Sequence, residues 1–153
     1  MLGMGPFPTE FDAAFSEHSR KRGGEYGATT GRPRRCGWLD MVVLRMAVMV
    51  NGLTDLAITK LDVLDSLDEI KICTGYRTGG RELEHYPAEL ALQEQVQPVY
   101  ETHPGWNRPT QNARTFAELP ANAQSYLKRI EELAGVPLSI ISVGSRRNQT
   151  IIL

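Results

Sequence analysis

Apolar residues recur along the chain at two different spacings, which predict two kinds of element. One face of residues 120–134 carries apolar side chains at helical intervals, so an amphipathic helix is predicted there, ended by Gly135. Residues 69–76 instead alternate polar and apolar side chains, which is typical of a half-buried strand. The chain therefore combines helices with strands.

The remaining segments follow from the same patterns and from turn residues. A helix is predicted at 9–22 with Thr9 as its N-cap, and a helix apolar on all sides, hence buried, at 38–51. Further strands are predicted at 56–61, 97–101, 137–143 and 150–153. Strands that alternate with helices predict an α/β fold, in which ligands gather where strands end.

Composition and charge narrow the class of protein. With 153 residues, 41% of them hydrophobic and 23% charged, the chain fits one soluble domain of ordinary size. Its net charge of −1 provides no general attraction to nucleic acid or membranes. The start has no signal-peptide pattern, and the longest apolar-rich stretch, 39–50, is too short to span a bilayer. We expect a cytoplasmic protein with neither nucleic-acid nor membrane partners.

Common catalytic and metal-binding motifs are missing from the sequence. Cys36 and Cys73 lack metal-ligand spacing, so two thiols are expected rather than a metal site or a disulfide. The histidines are scattered, and no GxxxxGK[ST] phosphate loop is present. We expect neither catalytic residues nor metal ligands in this chain.

The first candidate site is a loop rich in arginine. Residues 29–35 contain two threonines, one glycine and three arginines. Each planar guanidinium offers parallel donors that match a carboxylate or phosphate, although a solvated basic turn remains the alternative. The candidate substrate-binding residues are Ala28, Thr29, Thr30, Gly31, Arg32, Pro33 and Arg34.

The second candidate site follows the strand predicted at 56–61. The Asp62 carboxylate there can accept hydrogen bonds from both the N1–H and the exocyclic amine of guanine. Adenine does not offer this pair of donors. Lys60 can lay its aliphatic stem along the base, and Leu61 lies between them. An ordinary charged strand end is the alternative. Where the strand at 137–143 ends, three more residues could complete the pocket: Ser142, Val143 and Gly144.

Taken in order, these motifs resemble the adenylosuccinate synthetase family over essentially the whole chain. The resemblance rests on long runs, namely GPFPTE at 5–10, EYGATTGRPRRCGW at 25–38, TKLDVLD at 59–65 and YLKRIEEL at 126–133. It implies a ligase of purine (AMP) biosynthesis that joins IMP to L-aspartate and uses GTP and Mg²⁺.

The resemblance also implies a role for each candidate residue. Residues 28–34 would close over the aspartate substrate, with Arg32 meeting its carboxylates on the IMP side and Arg34 also reaching GTP. The resemblance assigns guanine binding to Lys60, Leu61, Asp62, Ser142, Val143 and Gly144. Asp62 would discriminate guanine from adenine.

The family resemblance further predicts what this chain lacks. It implies the C-terminal part of a P-loop-like mixed α/β sheet with flanking helices, without the N-terminal part of that sheet. The phosphate loop, the catalytic aspartate and histidine, most IMP contacts and the expected Mg²⁺ ligands belong to that N-terminal part. We therefore expect residues 1–153 to be inactive alone, to expose an apolar edge and to be poorly soluble. Full-length members are expected to be homodimers.

Two other functions are weighed against this one. The first is a non-catalytic protein that binds a guanine nucleotide or a partner, such as full-length synthetase. The second is an RNA-binding protein that uses residues 32–35 with Arg146 and Arg147. The near-neutral charge and the lack of aromatic residues among these arginines weigh against RNA.

Overall fold

The computed structural model describes residues 5–83 and 85–153. The chain forms two compact units, the first made of Met1–Val42 with Ile72–Glu101 and the second of Val43–Lys71 with Thr102–Leu153. Helices and strands alternate along it, which confirms the α/β class predicted from the sequence. No helix of the described residues is long and apolar enough to cross a membrane.

The helices are α1 (Ala13–Gly23), α2 (Met41–Asn51), α3 (Leu90–Gln93) and α4 (Ala121–Ala134). The strands are β1 (Leu39–Asp40), β2 (Leu56–Ile58), β3 (Glu69–Thr78), β4 (Arg81–Leu83), β5 (Gln97–Pro104), β6 (Leu138–Ser142) and β7 (Thr150–Ile152). Short 3₁₀ helices occupy Leu61–Leu64 and Phe116–Glu118.

The sheet of the first unit is built around β3. This strand runs parallel to β1 and antiparallel to β4, and β5 also pairs with it, so the sheet is mixed. The β3–β4 turn contains Gly79 and Gly80, whose φ angles of 54° and 81° suit glycine. A compact cluster of buried side chains forms part of the core: Val42, Cys73, Tyr76 and Val96, packed against Leu83, Tyr86 and Tyr100.

Partly buried hydrogen bonds of Asp40 connect the start of α2 to this sheet. The Tyr76 hydroxyl donates to Asp40 Oδ2, while Asp40 Oδ1 accepts from the Val42 backbone N–H at 3.1 Å. Burial, and then the Asp40 hydrogen bond, raise the pKa of Tyr76 well above its usual value. Burial also raises the pKa of Tyr100 to about 12.

The second unit contains a smaller mixed sheet. Strand β6 lies between β2, which is parallel to it, and β7, which is antiparallel. Helix α4 adds buried Leu127 and Ile130 to the core of this unit, and the sheet adds Ile141 and Ile151. The helix ends at Gly135 in the left-handed conformation, as the sequence predicts.

The start of α1 differs from the prediction. Asp12, not Thr9, caps the helix, since its side chain accepts from the Phe15 N–H at 2.9 Å. Thr9 is fully buried, and its carbonyl accepts from the Trp38 N–H at 3.0 Å. The backbone of Thr9 is thus engaged with a distant segment, which explains why it does not begin the helix.

The burial predicted for the second helix is also wrong. Helix α2 begins at Met41, because Leu39–Asp40 pairs with β3 as a strand. Only its first residues, Met41 and Val42, are buried. Four apolar side chains remain 46–70% exposed: Val43, Met46, Met49 and Val50.

Candidate functional site

The arginine-rich segment of the first unit is a tight, exposed turn. The Gly27 N–H donates to the Arg32 carbonyl at 2.8 Å, and the Gly31 N–H donates to the Gly27 carbonyl at 2.8 Å. Gly31 has a φ of 64°, a conformation that favours glycine. Residues 28–32 are all exposed at its tip. Their backbone and side chains are therefore accessible to a ligand.

The three arginines of this segment have different surroundings. Arg35 holds Glu10 through two parallel contacts, Nε to Oε1 at 2.8 Å and Nη2 to Oε2 at 2.5 Å. This hydrogen bonding lowers the pKa of Glu10. Arg34 pairs with Glu25 at 3.1 Å. Within residues 5–83 and 85–153, Arg32 forms no ion pair, so its guanidinium can bind a ligand without first losing an ion-pair partner.

The guanine-binding segments predicted from the sequence meet in the second unit. Ile58 and Ile141 are register partners in the parallel strands β2 and β6. Since parallel strands end at the same edge of a sheet, residues 60–62 and 142–144 leave the sheet side by side. The 3₁₀ helix Leu61–Leu64 also contacts β6. The fold thus joins two segments that are distant in sequence.

The backbone of the first segment is unusual at its centre. The predicted strand at 56–61 stops at Ile58, and Lys60 adopts the left-handed conformation with a φ of 60°. A left-handed non-glycine residue costs about 1–3 kcal/mol and is concentrated at functional sites. Asp62 follows, half-buried, on the 3₁₀ helix. Leu61 is 1% exposed, so it belongs to the core rather than to the accessible surface of the segment.

The second segment offers mainly backbone groups. The side chain of Val143 is fully buried, and its N–H donates to the Gln149 carbonyl at 2.9 Å. Ser142 Oγ donates to the Gly144 carbonyl at 2.9 Å, which tightens the turn. A Cβ on Gly144 would lie 2.3 Å from Gln149 Oε1, so a side chain at this position would displace the Gln149 amide.

Sequence reasoning missed a buried carboxylate beside this site. Asp65 is only 5% exposed and accepts from Trp106 Nε1 at 2.8 Å and from the N–H and Oγ1 of Thr110, both at 2.9 Å. These bonds fix the loop that follows Trp106. The next residue, Gln111, donates from Nε2 to Asp62 Oδ2 at 3.3 Å. No spacing in the sequence links these positions.

The described part of the chain contains no group of side chains suited to hold a metal ion. Among residues 5–83 and 85–153, no three histidine, cysteine, aspartate or glutamate side chains are grouped so that they could hold an ion. Cys36 is half-buried and Cys73 is buried, and they are not joined by a disulfide.

Comparison with known proteins identifies the family. The family model described as adenylosuccinate synthetase matches residues 1–151. The chain belongs to the adenylosuccinate synthetase family. The resemblance predicted from the order of the motifs is therefore confirmed.

Relatives from several organisms are similar across nearly the whole chain. Adenylosuccinate synthetase from Geotalea daltonii is 57% identical over 152 residues, 99% of this chain and 35% of the relative. Adenylosuccinate synthetase 1 from Chromobacterium violaceum is 56% identical over 150 residues, 98% of this chain and 35% of the relative. The chain thus spans about a third of the length of these synthetases.

A solved structure extends the similarity to the fold. It is the fully ligated adenylosuccinate synthetase from Plasmodium falciparum, which matches with a TM-score of 0.95 and 39% sequence identity. The match covers 99% of this chain and 37% of that one. The mixed sheets with flanking helices are therefore those of a synthetase segment, as the sequence predicts.

Proposed function

We propose that this chain supplies the guanine site and the aspartate-binding loop of an adenylosuccinate synthetase. That enzyme would join IMP to L-aspartate at the expense of GTP. The observation that carries the proposal is the contact between the 3₁₀ helix that contains Asp62 and strand β6, which ends at Ser142 in the second unit's sheet. The family membership of the chain supports it.

The guanine site would bind the base through one carboxylate and several backbone groups. Asp62 would accept the N1–H and the exocyclic amine of guanine. Lys60, exposed on its left-handed backbone, would lie along the base. The turn at 142–144 would meet the base through Ser142 and the backbone of Gly144, which are partly exposed, whereas Val143 is fully buried and would hold the turn in place. Adenine would leave the carboxylate unpaired, and that desolvation penalty is the source of selectivity.

The arginine turn would bind the amino-acid substrate. Arg32, which has no ion pair among the described residues, would hold the carboxylates of aspartate and lie near IMP, while Arg34 would exchange Glu25 for the nucleotide. The same turn would be lined by the hydroxyls of Thr29 and Thr30 and by the backbone of Ala28, Gly31 and Pro33.

In the proposed reaction, the IMP 6-oxygen is phosphorylated and the aspartate amine then displaces that phosphate. Fixing the dicarboxylate would poise its amine for this attack.

The remaining two-thirds of the synthetase length would supply what this chain does not. We assign to it the phosphate contacts of GTP, the catalytic groups and the ligands of Mg²⁺, an ion that would neutralise charge on the transferred phosphoryl group. The described residues contain no cluster that fits such an ion. On this proposal residues 1–153 are inactive alone, and the assembled enzyme is a cytoplasmic homodimer.

A second candidate is a non-catalytic protein that binds a guanine nucleotide or a synthetase partner. Apolar side chains exposed in the second unit favour a protein partner. Ile140 and Ile152 are register partners and are 38% and 81% exposed, and Met49 and Val50 of α2 are 70% and 67% exposed. The same surface is the reason that poor solubility stays a prediction for the isolated chain.

Nucleotide titration of the purified chain tests the guanine site. We expect GTP to bind at least about tenfold more tightly than ATP, and Asp62→Asn to remove that preference because an amide cannot accept both guanine donors. Glu69→Gln is the control, since it removes another exposed carboxylate of the second unit in the same carboxylate-to-amide way. Equal binding of GTP and ATP by the unaltered chain would overturn the assignment of Asp62.

Complementation separates the enzyme segment from the non-catalytic binder. The chain is mixed with a separately produced polypeptide that carries the rest of a synthetase, and adenylosuccinate formation is followed with IMP, aspartate, GTP and Mg²⁺. Activity that requires both polypeptides supports the ligase assignment. A stable complex without turnover would favour the second candidate.

A further inference from the structure

We propose that Gln111 is a specificity-determining residue of the base site. Its side chain holds the Asp62 carboxylate in the orientation that accepts both guanine donors. The inference rests on the guanine site proposed above and adds a residue to it. Neither the sequence motifs nor the strand ends point to Gln111, which lies on the loop after Trp106.

The first observation is the contact between the two side chains. Gln111 Nε2 donates to Asp62 Oδ2 at 3.3 Å. The terminal torsion of an aspartate is broad, so its carboxylate plane turns readily unless something holds it. A carboxylate has about four acceptor positions, so one amide donor on Oδ2 does not use up the accepting capacity of either oxygen. Gln111 can therefore orient the carboxylate and still let it accept from a base.

The second observation is that Gln111 is itself held in place. Its neighbour Thr110 is 1% exposed and is bound twice to the buried Asp65 carboxylate. The Gln111 carbonyl accepts from Arg114 Nη1 at 2.9 Å. These bonds fix the backbone from which the Gln111 side chain starts, so its amide is carried within reach of Asp62. Asp65 is thus a positioning residue, which acts through the loop.

The third observation is that Gln111 links the two halves of the site. Its carbonyl also accepts from Gln149 Nε2 at 3.4 Å. The Gln149 carbonyl in turn accepts from the Val143 N–H at 2.9 Å, and its Oε1 accepts from the Arg146 N–H at 3.0 Å. A continuous path of hydrogen bonds thus runs from Asp62 through Gln111 and Gln149 to the turn at 142–144.

This arrangement makes a prediction about the base that Gln111 helps to select. Hypoxanthine has the N1–H of guanine but lacks its exocyclic amine. A carboxylate held in the plane of the base gains a second hydrogen bond only with guanine, whereas one that is held less firmly in that plane gains less from it. Removal of the Gln111 amide should therefore weaken guanine binding more than hypoxanthine binding.

The test compares GDP with IDP, and with ADP as the reference for guanine selectivity, by NMR titration of the ¹⁵N-labelled chain, a method that tolerates weak binding. In the unaltered chain we expect GDP to bind roughly tenfold more tightly than IDP. Gln111→Leu, which keeps the approximate size of the side chain and removes the amide, should reduce that ratio by about threefold or more, because GDP affinity falls more than IDP affinity. Gln95→Leu, at an exposed glutamine of the first unit, is the control and should leave the ratio unchanged.

The outcomes separate this inference from the proposed function. If the unaltered chain prefers GDP to ADP and Gln111→Leu keeps the GDP-to-IDP ratio, the role of Gln111 is overturned and the guanine site stands. Equal weakening of GDP and IDP would also overturn it, because that result means that Gln111 only supports the loop. If the unaltered chain does not distinguish GDP from ADP, the guanine site itself fails.

Discussion

Ile58 and Ile141 lie opposite each other in the parallel strands β2 and β6, although they are far apart in sequence. This register determines where the chain leaves the sheet after each strand. Lys60 and Asp62 follow one strand, and the turn at 142–144 follows the other. The proposed base site therefore depends on a strand pairing inside the second unit, and a shift in that register would separate its two halves.

The left-handed backbone of Lys60 predicts that one substitution will affect stability and GTP binding in opposite directions. Lys60→Gly should relieve the strain of its φ of 60° and leave the free energy of unfolding unchanged or raised by up to about 1 kcal/mol. The same change should weaken GTP binding, because the side chain proposed to cover the base is lost. Urea unfolding and nucleotide titration measure the two effects. A variant that is less stable and binds GTP normally would contradict both expectations.

Two arginines of the exposed turn are expected to have different roles, since Arg32 would bind the ligand and Arg35 would stabilise the fold. Arg32→Ala should leave the unfolding midpoint unchanged. In the complemented enzyme it should raise the KM for aspartate at least about tenfold, since a carboxylate partner is lost.

Arg35→Ala is the matched variant. It should lower the free energy of unfolding by about 1 kcal/mol, because Arg35 pairs with Glu10 through two bonds, donates to the Gly5 carbonyl at 2.7 Å and covers the Phe7 ring at 5.3 Å. Chemical unfolding and aspartate kinetics on both variants check this division. Equal loss of aspartate affinity in the two would contradict it.

The sequence predicts elements whose determinants are local. The helical spacing before Gly135 identifies α4, and the alternation at 69–76 identifies β3, since each pattern lies within the element itself. Thr9 fails as a cap because its backbone pairs with Trp38, and α2 is apolar yet largely exposed. Both exceptions depend on contacts or exposure that a local pattern does not contain.

The candidate site shows the same limit. Motif resemblance indicates Lys60, Asp62 and the turn at 142–144, and the structure brings these segments to one sheet edge, while their roles remain predictions. Gln111 was not indicated, because its place beside Asp62 depends on the bonds from Thr110 to Asp65. Long-range hydrogen bonds of that kind leave no periodic signal in a single sequence.

A close backbone contact makes Gly105 the most sensitive glycine of the second unit. A Cβ at this position would lie 1.6 Å from the Leu67 carbonyl oxygen, and the Gly105 N–H donates to the Asp68 carbonyl at 2.7 Å. Gly105→Ala should therefore cost more than about 2 kcal/mol, because two backbone segments must separate. Urea unfolding at neutral pH measures the change.

The control for that substitution is a glycine with space around it. At Gly75, no neighbouring atom lies within 4 Å of the position that a Cβ would occupy, and the φ angle is not in the left-handed region. Gly75→Ala should change stability by less than about 1 kcal/mol and is expected to be neutral or favourable within β3. Similar losses at both positions would show that the contact with Leu67 is not the cause.

Buried tyrosines predict a loss of stability at alkaline pH. Burial and the Asp40 hydrogen bond raise the pKa of Tyr76, and burial raises the pKa of Tyr126 and Tyr100. Above about pH 10, the ordinary tyrosine value of 10.0, the unfolded chain loses these protons while the folded chain keeps them. The contribution of these tyrosines to the free energy of unfolding should therefore be constant below pH 10 and fall above it, by up to about 1.4 kcal/mol per pH unit for each such group.

Tyr76→Phe tests the part of this effect that belongs to one residue. At neutral pH the variant should be less stable by about 1–3 kcal/mol, because Asp40 loses its phenolic donor. Above pH 10 its stability should fall less steeply than that of the unaltered chain, since one proton fewer is retained on folding, while Tyr100 and Tyr126 still contribute. Urea unfolding between pH 7 and pH 11 gives both curves. Curves that stay parallel throughout this range would show that Tyr76 titrates alike in the folded and unfolded states, and that its buried bond to Asp40 does not protect the proton.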